Sequence, residues 1–262
     1  MTRISNWKSK VYLNLDCGPY QLKIAESQAE VIQCFKLRHD IFCKELAGRS
    51  TKSGLDYDQY DSICDHLVIV HQPTQQIVGT YRINFSQDPE QLYTESEFEI
   101  SNWVAQLNDP FIELGRACIH ADHRRGVVIS LLWRGIAEYM KLVDAHMLLG
   151  CSSVKVVDPR GAALVFKYFE INGHLNEEIF SPQQKYQMKD FLFWMMVFAK
   201  GLSQQQILEA EEKIPSLLKA YIKAGAKVCS YPALDTDFNC IDFMTLLKRS
   251  ELDSKLAKKF NT

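Results

Sequence analysis

Four charged residues stand in surroundings that read as core. Arg38 falls in the apolar stripe Val31, Cys34, Phe35, Arg38, Ile41, Phe42, and Asp61 closes the acidic run Asp56-Tyr-Asp-Gln-Tyr-Asp61. Arg82 lies in the apolar segment Ile77 to Phe85, and Glu113 in Phe111-Ile-Glu-Leu-Gly-Arg-Ala-Cys-Ile119. A charge sent inward needs a partner or a task, because desolvation otherwise penalises it. Carboxylates can move a proton and guanidiniums can hold an anionic group, so these positions suggest an enzyme pocket. A regular strand would send Glu113 and Arg116 to opposite faces, since side chains alternate. A bulge at Gly115 would reunite them and turn backbone N–H groups toward a substrate carbonyl. A structural salt bridge at a sheet end fits this segment equally well; Arg38 and Arg82 tilt the balance toward function.

The acidic run taken alone reads as a solvated turn, because Asp beside Gly and Ser caps its own backbone. Its Asp-x-Asp spacing lacks the glycine and terminal glutamate of a calcium loop, so no metal is expected. What changes the odds is the inward Arg38, for which Asp56, Asp58 and Asp61 are the nearest acids in sequence. A second constellation, His120-Ala-Asp-His-Arg-Arg-Gly126, leads from a strand into a helix. Free N–H groups at a helix start, flanked by Arg124 and Arg125, suit a phosphate. A solvated basic turn competes with that reading, and Gly126 lacks the companion glycines of a P-loop or a dinucleotide fingerprint.

The elements that must position these residues follow from periodicity. A strand over Gln21 to Ala25 leads through the capping box Ser27-Gln-Ala-Glu30 into a helix that runs to about Leu46. Strands over His66 to His71 and Ile77 to Phe85 form a hairpin, and a polar, helical stretch follows to Leu107. Next come a strand over Phe111 to Ile119, a helix over Gly126 to Val143, a strand over Met147 to Val157 and a helix over Pro159 to Ile171. Residues 182 to 225 read as mainly helical, with late strands over Ala226 to Ser230 and Ile241 to Leu247. The order is mixed α/β (α+β) in one domain: a core over 21–175, a helical elaboration over 176–225, and terminal strands and tail over 226–262.

Composition bounds the rest. With 262 residues, 47% of them hydrophobic and 24% charged, the chain is long enough to bury a sizeable core. A formal net charge of -2 gives no reason to expect nucleic-acid binding. The eight cysteines form no CxxC pair, which points to reduced thiols and a cytoplasmic protein without disulfides or zinc. The start of the chain lacks a signal peptide's apolar stretch, and no window reaches the roughly 18 apolar residues of a membrane span. Phe191-Leu-Phe-Trp-Met-Met-Val-Phe-Ala199 is too short to cross a bilayer. It reads first as a buried helix and second as a surface for lipid or a partner.

With these residues in hand, the chain resembles a family: bacterial acyl-carrier-protein-dependent N-acyltransferases on the GNAT fold, specifically the ornithine-lipid N-acyltransferases, often labelled haemolysin-like. Acyl-homoserine-lactone autoinducer synthases and N-acyl amino acid synthases are the cousins. The resemblance covers Leu37 to about Val154 and rests on Leu37-Arg-His-Asp-Ile-Phe42, Asp58-Gln-Tyr-Asp61, Cys64-Asp-His-Leu67, Gly79-Thr-Tyr-Arg82, Tyr93-Thr-Glu-Ser-Glu-Phe98, Glu113-Leu-Gly-Arg-Ala-Cys-Ile-His120 and Leu131-Leu-Trp-Arg-Gly-Ile-Ala137. A second stretch, Ile214 to Phe243, looks like the ornithine-lipid branch and is absent from the shorter autoinducer synthases.

The resemblance implies a GNAT-like fold and direct transfer of a long, 3-hydroxy acyl group from the phosphopantetheine thioester of acyl carrier protein to an amino-acid amine, foremost that of L-ornithine. No cofactor would be bound and no covalent enzyme intermediate formed. The family's first-helix arginine and phenylalanine fall on Arg38 and Phe42, its acidic pair on Asp58 and Asp61, and its strand arginine on Arg82. Its second phenylalanine and its Glu/Arg pair fall on Phe98, Glu113 and Arg116. An amino acid's ammonium must lose a proton before it attacks, so Glu113 is the first candidate base and Asp61 the second. Backbone N–H groups at Gly115 would hold the oxyanion. Arg38 and Arg82 would shape the acidic loop and bind the amino acid's carboxylate. Arg124, Arg125 and Gly126 would meet the pantetheine phosphate or the acidic carrier protein, and peripheral contact with the inner face of a membrane is compatible with the late apolar helix. Two features depart from ordinary GNAT enzymes: the phosphate loop reads His123-Arg-Arg-Gly126-Val-Val128, and Phe169 stands where a tyrosine acid is usual. An autoinducer or N-acyl amino acid signal synthase, a coenzyme A-dependent acetyltransferase of a small amine, and a non-catalytic lipid-binding module are the rivals.

Overall fold

The computed structural model describes Ile4 and residues 7–252. Strands β1 (Asn14–Cys17) and β2 (Tyr20–Ile24) lead into helix α1 (Gln28–Arg38), a π-helical stretch His39–Leu46, and strands β3 (Asp65–His71) and β4 (Gln76–Asn84). Short helices α2 (Tyr93–Glu97) and α3 (Ser101–Val104) precede β5 (Phe111–Ile119) and α4 (Val127–Leu142). Then come β6 (Met147–Val154), α5 (Pro159–Ile171), β7 (Leu175–Phe180) and helices α6 (Phe191–Val197), α7 (Gln204–Lys213) and α8 (Ser216–Ala224). Strands β8 (Lys227–Ser230), β9 (Ala233–Asp235) and β10 (Cys240–Lys248) close the sequence of elements. The mixed α/β character expected from the sequence is present. The terminal residues 253–262 of the expected tail lie outside the described residues.

Contacts divide the chain into two units. The first holds, among described residues, Ile4, 7–86 and 109–146. Its strands β1 to β5 pair antiparallel, each with the next in sequence. Strand β3 reads as one apolar run because both its faces are covered. Val68 and Val70 pack with Val31, Cys34 and Phe35 of α1, together with Ile77 and Cys118. On the other face, Leu67 lies under α4, so closely that a Cβ placed on Gly135 would sit 2.7 Å from its Cδ1. His66 and Val68 are the cross-strand partners of Arg82 and Thr80. Arg82 therefore projects to the α1 side, which fixes where the charged site forms.

The second unit holds 87–108 and, among described residues, 147–252. Its strand order is β6-β10-β8-β7, with β9 also paired to β10. Strand β10 runs antiparallel to β6, β8 and β9, while β7 and β8 are parallel. Its core joins Ala163, Phe166 and Phe169 of α5 to Phe191, Ala210, Leu218 and Phe243.

Several local expectations are corrected. The helix expected to run to Leu46 is α-helical only to Arg38, after which the chain widens into π-helix over His39–Leu46. The stretch before Leu107 forms short pieces rather than one helix. The apolar segment 191–199 is not a buried helix. Phe191 and Phe198 are buried, but Leu192 and Met196 are 69% and 70% exposed, with Phe193 and Val197 also exposed. Its apolar residues run all round the helix, so only one side can meet the core.

Candidate active site

The charged residues singled out in the sequence assemble within the first unit, on the α1 side of its sheet. Arg38, the last residue of α1, donates Nε–H to Asp56 at 2.7 Å and its two terminal nitrogens to the two oxygens of Asp61 at 2.6 and 3.1 Å. Arg82 donates to Asp58 at 2.6 Å and lies 3.4 Å from Asp61. Arg116 donates to Asp58 at 3.0 Å and stands 3.7 Å from Asp56. Three guanidiniums thus interlock with three carboxylates, and bidentate pairing fixes their planes as well as their spacing.

The acidic loop is held by its own backbone. Asp58 accepts from the N–H of Tyr60 while Asp61 accepts from the N–H of Asp58, a reciprocal capping box around the 3-10 turn Gln59–Ser62. The backbone capping expected of an acidic turn and the pairing with Arg38 therefore occur together in this loop.

Electrostatics follow from burial and partners. Burial works against the ionised form of Asp61, but the nearby guanidiniums of Arg38 and Arg82 outweigh it and hold the carboxyl well below the usual range. Asp58 is lowered for the same reason by Arg82 and Arg116, against burial and the charge of Asp61. Burial opposes the charge on Arg38 and Arg82, yet the aspartates raise both. A carboxylate held this low takes up a proton poorly, which disfavours Asp61 as a base. His66 is buried, with its Nε2 3.3 Å from the carbonyl of Asp61. Burial pushes its pKa down to about 4, so it stays neutral.

Glu113 is buried and lies on the same face. It is the cross-strand partner of Asn84, two residues along from the Arg82–Gly115 pair. The expected bulge is present but sits one residue on. Between the pairs Thr80–Cys118 and Arg82–Gly115 the β5 side carries an extra residue, and Arg116 takes a left-handed φ of 53°. This turns Arg116 back toward the aspartates, and Gly115 keeps ordinary strand geometry; a Cβ there would lie 3.8 Å from the Arg82 guanidinium.

The remaining expected residues are distributed differently. Phe42 is half-buried in the π-helical stretch and packs on the α1-side core. Phe98 belongs to the second unit and is fully buried there. Arg124 makes a bidentate pair with Glu45 at 2.6 and 2.7 Å, both residues being exposed. Arg125 is exposed, and Gly126 starts α4 with φ of 91°, a backbone state that a Cβ disfavours. No side chain caps the first turn of that helix.

The family model described as an acetyltransferase (GNAT) domain matches residues 37–134. The chain is 28% identical over 251 residues to an L-ornithine N(alpha)-acyltransferase of Agrobacterium fabrum, a match covering 90% of this chain and 83% of that protein. It is 26% identical over 249 residues to the protein of the same name from Rhodobacter capsulatus, covering 90% of this chain and 92% of that protein. Among solved structures, FeeM, an N-acyl amino acid synthase from uncultured soil microbes, superposes with a TM-score of 0.51 at 9% identity, covering 89% of this chain and 95% of that one. The last likeness concerns the fold alone.

Proposed function

We propose that this chain, whose residues 37–134 match a GNAT acetyltransferase domain and which is similar over nine tenths of its length to L-ornithine N(alpha)-acyltransferases, moves a long, 3-hydroxy acyl group from acyl carrier protein to the α-amine of L-ornithine. The product would be a lyso-ornithine lipid. The observation that carries this reading is the length of the match, which runs well past residues 37–134 into the second unit.

In the mechanism this supports, Glu113 accepts a proton from the substrate ammonium, directly or through water. The freed amine attacks the thioester carbonyl, and the oxygen that becomes negative is met by backbone N–H groups at the Gly115–Arg116 bulge. Collapse breaks the C–S bond, the attacking nitrogen gives up its second proton, and the departing pantetheine thiolate takes up that proton. Asp61 is set aside as base because its carboxyl is already committed to two arginines. Arg38 spends its hydrogen bonds on Asp56 and Asp61, so its role is to hold the acidic loop rather than to bind the substrate carboxylate.

The uncapped start of α4 and the exposed Arg125 support a place for the pantetheine phosphate or for the acidic carrier protein. The exposed face of α6, flanked by the exposed Lys185, Lys189 and Lys200, supports peripheral contact with an anionic membrane surface at the cytoplasmic side. Steady-state assays with L-ornithine and matched donors test the reaction. Long-chain acyl carrier protein should serve at least about tenfold better than acetyl coenzyme A, since each buried methylene is worth roughly 0.8 kcal/mol. Equal use of acetyl coenzyme A would return the protein to the small-amine acetyltransferases.

A further inference from the structure

The second unit contains a buried carboxylate cluster that the mechanism does not use. Glu97 ends α2, Asp235 ends β9, and Asp242 lies on β10. Asp235 is the cross-strand partner of Cys240, two residues from Asp242, so both aspartates face the same way. All three side chains are buried, and one oxygen of each lies within 4.8 Å of the others. Asp235 accepts from the N–H groups of Asp237 and Phe238, and Asp242 accepts from the hydroxyl of Ser153. Neither oxygen of Glu97 has a hydrogen-bond partner of standard geometry, and the residue is fully buried. Burial first, and the charge of Asp242 second, push its pKa up to about 8, while the Tyr93 hydroxyl and Cys151 thiol offset part of that shift. Tyr186 and Cys240 are the other titratable groups that feel the cluster's charge. Ser153 is exposed, so the cluster lies one hydrogen bond from solvent.

Three converging acids, one of them without a hydrogen-bond partner of standard geometry, form a buried acidic cluster that a cation from outside would relieve. An ammonium bonding three oxygens at about 2.8 Å in tetrahedral directions holds them roughly 4.6 Å apart, within the spread seen here. The neighbouring phenols and thiols suit an ammonium better than they suit the dense oxygen shell of calcium or magnesium. We propose that Glu97, Asp235 and Asp242 form a site for the side-chain ammonium of a basic amino acid. The inference rests on reading the acceptor as an amino acid of that kind, and it assigns these three carboxylates to its recognition.

Titration calorimetry on the intact protein tests it with L-ornithine, with L-norvaline, which lacks the second ammonium, and with magnesium or calcium chloride alone. The wild type should bind ornithine at least about tenfold more tightly than norvaline, and Glu97→Gln or Asp242→Asn should abolish that preference while leaving norvaline binding unchanged. Circular dichroism establishes that each variant is folded, and either folded variant suffices. An ornithine preference that survives in a folded variant, or Glu97-dependent binding of the metal ions in place of ornithine, would overturn the proposal. Acyl transfer to ornithine with an unchanged KM in Glu97→Gln would also overturn it while leaving the proposed reaction standing. Glu97-dependent ornithine binding without acyl transfer would do the reverse.

Discussion

The two units each bury a set of acids, and the sets behave in opposite ways. In the first, Asp56, Asp58 and Asp61 meet Arg38, Arg82 and Arg116, and the carboxyls of Asp58 and Asp61 are held below their ordinary range. In the second, Glu97 meets Asp242 and Asp235, and its pKa rises to about 8. Burial opposes ionisation in both, so the difference lies in what stands opposite. A network balanced by arginines is a scaffold whose charges are already satisfied. A cluster of acids with one unpartnered member is poised to receive something.

Removing one partner from the balanced network should have the largest effect on stability. Arg38→Met leaves Asp56 short of a partner and Asp61 with one arginine in place of two, and breaking a buried pair costs about 3–5 kcal/mol. A urea unfolding curve should show that loss, and an unchanged midpoint would mean the network is not holding the loop. Glu97→Gln should act in the opposite direction. The folded-state pKa of Glu97 lies above the ordinary glutamate value of 4.5, so its stabilising contribution is complete below pH 4.5 and is lost as pH rises toward 8. The variant should therefore melt a few degrees higher than wild type at pH 8, with the gap closing toward pH 5. Melting curves across that range that run parallel would break the contrast between the two sets. The aspartates of the network have the other sign: their contribution is present above the usual carboxylate range and fades as pH falls below it. Smallest of all should be the exposed pair of Arg124 and Glu45. Water screens it, so Arg124→Ala should shift unfolding by less than about 1 kcal/mol.

Much of both units could be read from the chain where the signals are local. The capping box at Ser27, the strand over Phe111–Ile119 and the helix over Pro159–Ile171 appear where their patterns put them. The inward placement of Arg38 follows from the helical stripe, and the acids it meets lie in the acidic loop that comes next in sequence. The bulge was expected at Gly115 for glycine's freedom, yet Arg116 takes the left-handed backbone, and its pair with Asp58 accompanies that conformation. The carboxylate cluster left no such trace. Glu97, Asp235 and Asp242 are separated by up to 145 residues, and only the pairing of β9 with β10 and the placement of α2 join them. The exposed face of α6 was misjudged because an all-apolar run carries no period to say which side is covered.

The central claim is that Glu113 removes the proton from the attacking amine. It is tested most directly by kcat/KM for Glu113→Gln across a pH series, with long-chain acyl carrier protein and L-ornithine, on protein shown to be folded by circular dichroism. Glutamine keeps the size of the side chain and cannot take up the proton, so turnover should fall by at least about tenfold to a hundredfold at every pH. Turnover near that of wild type across the series would contradict the account and leave water, or a group outside the β4–β5 pair, as the base.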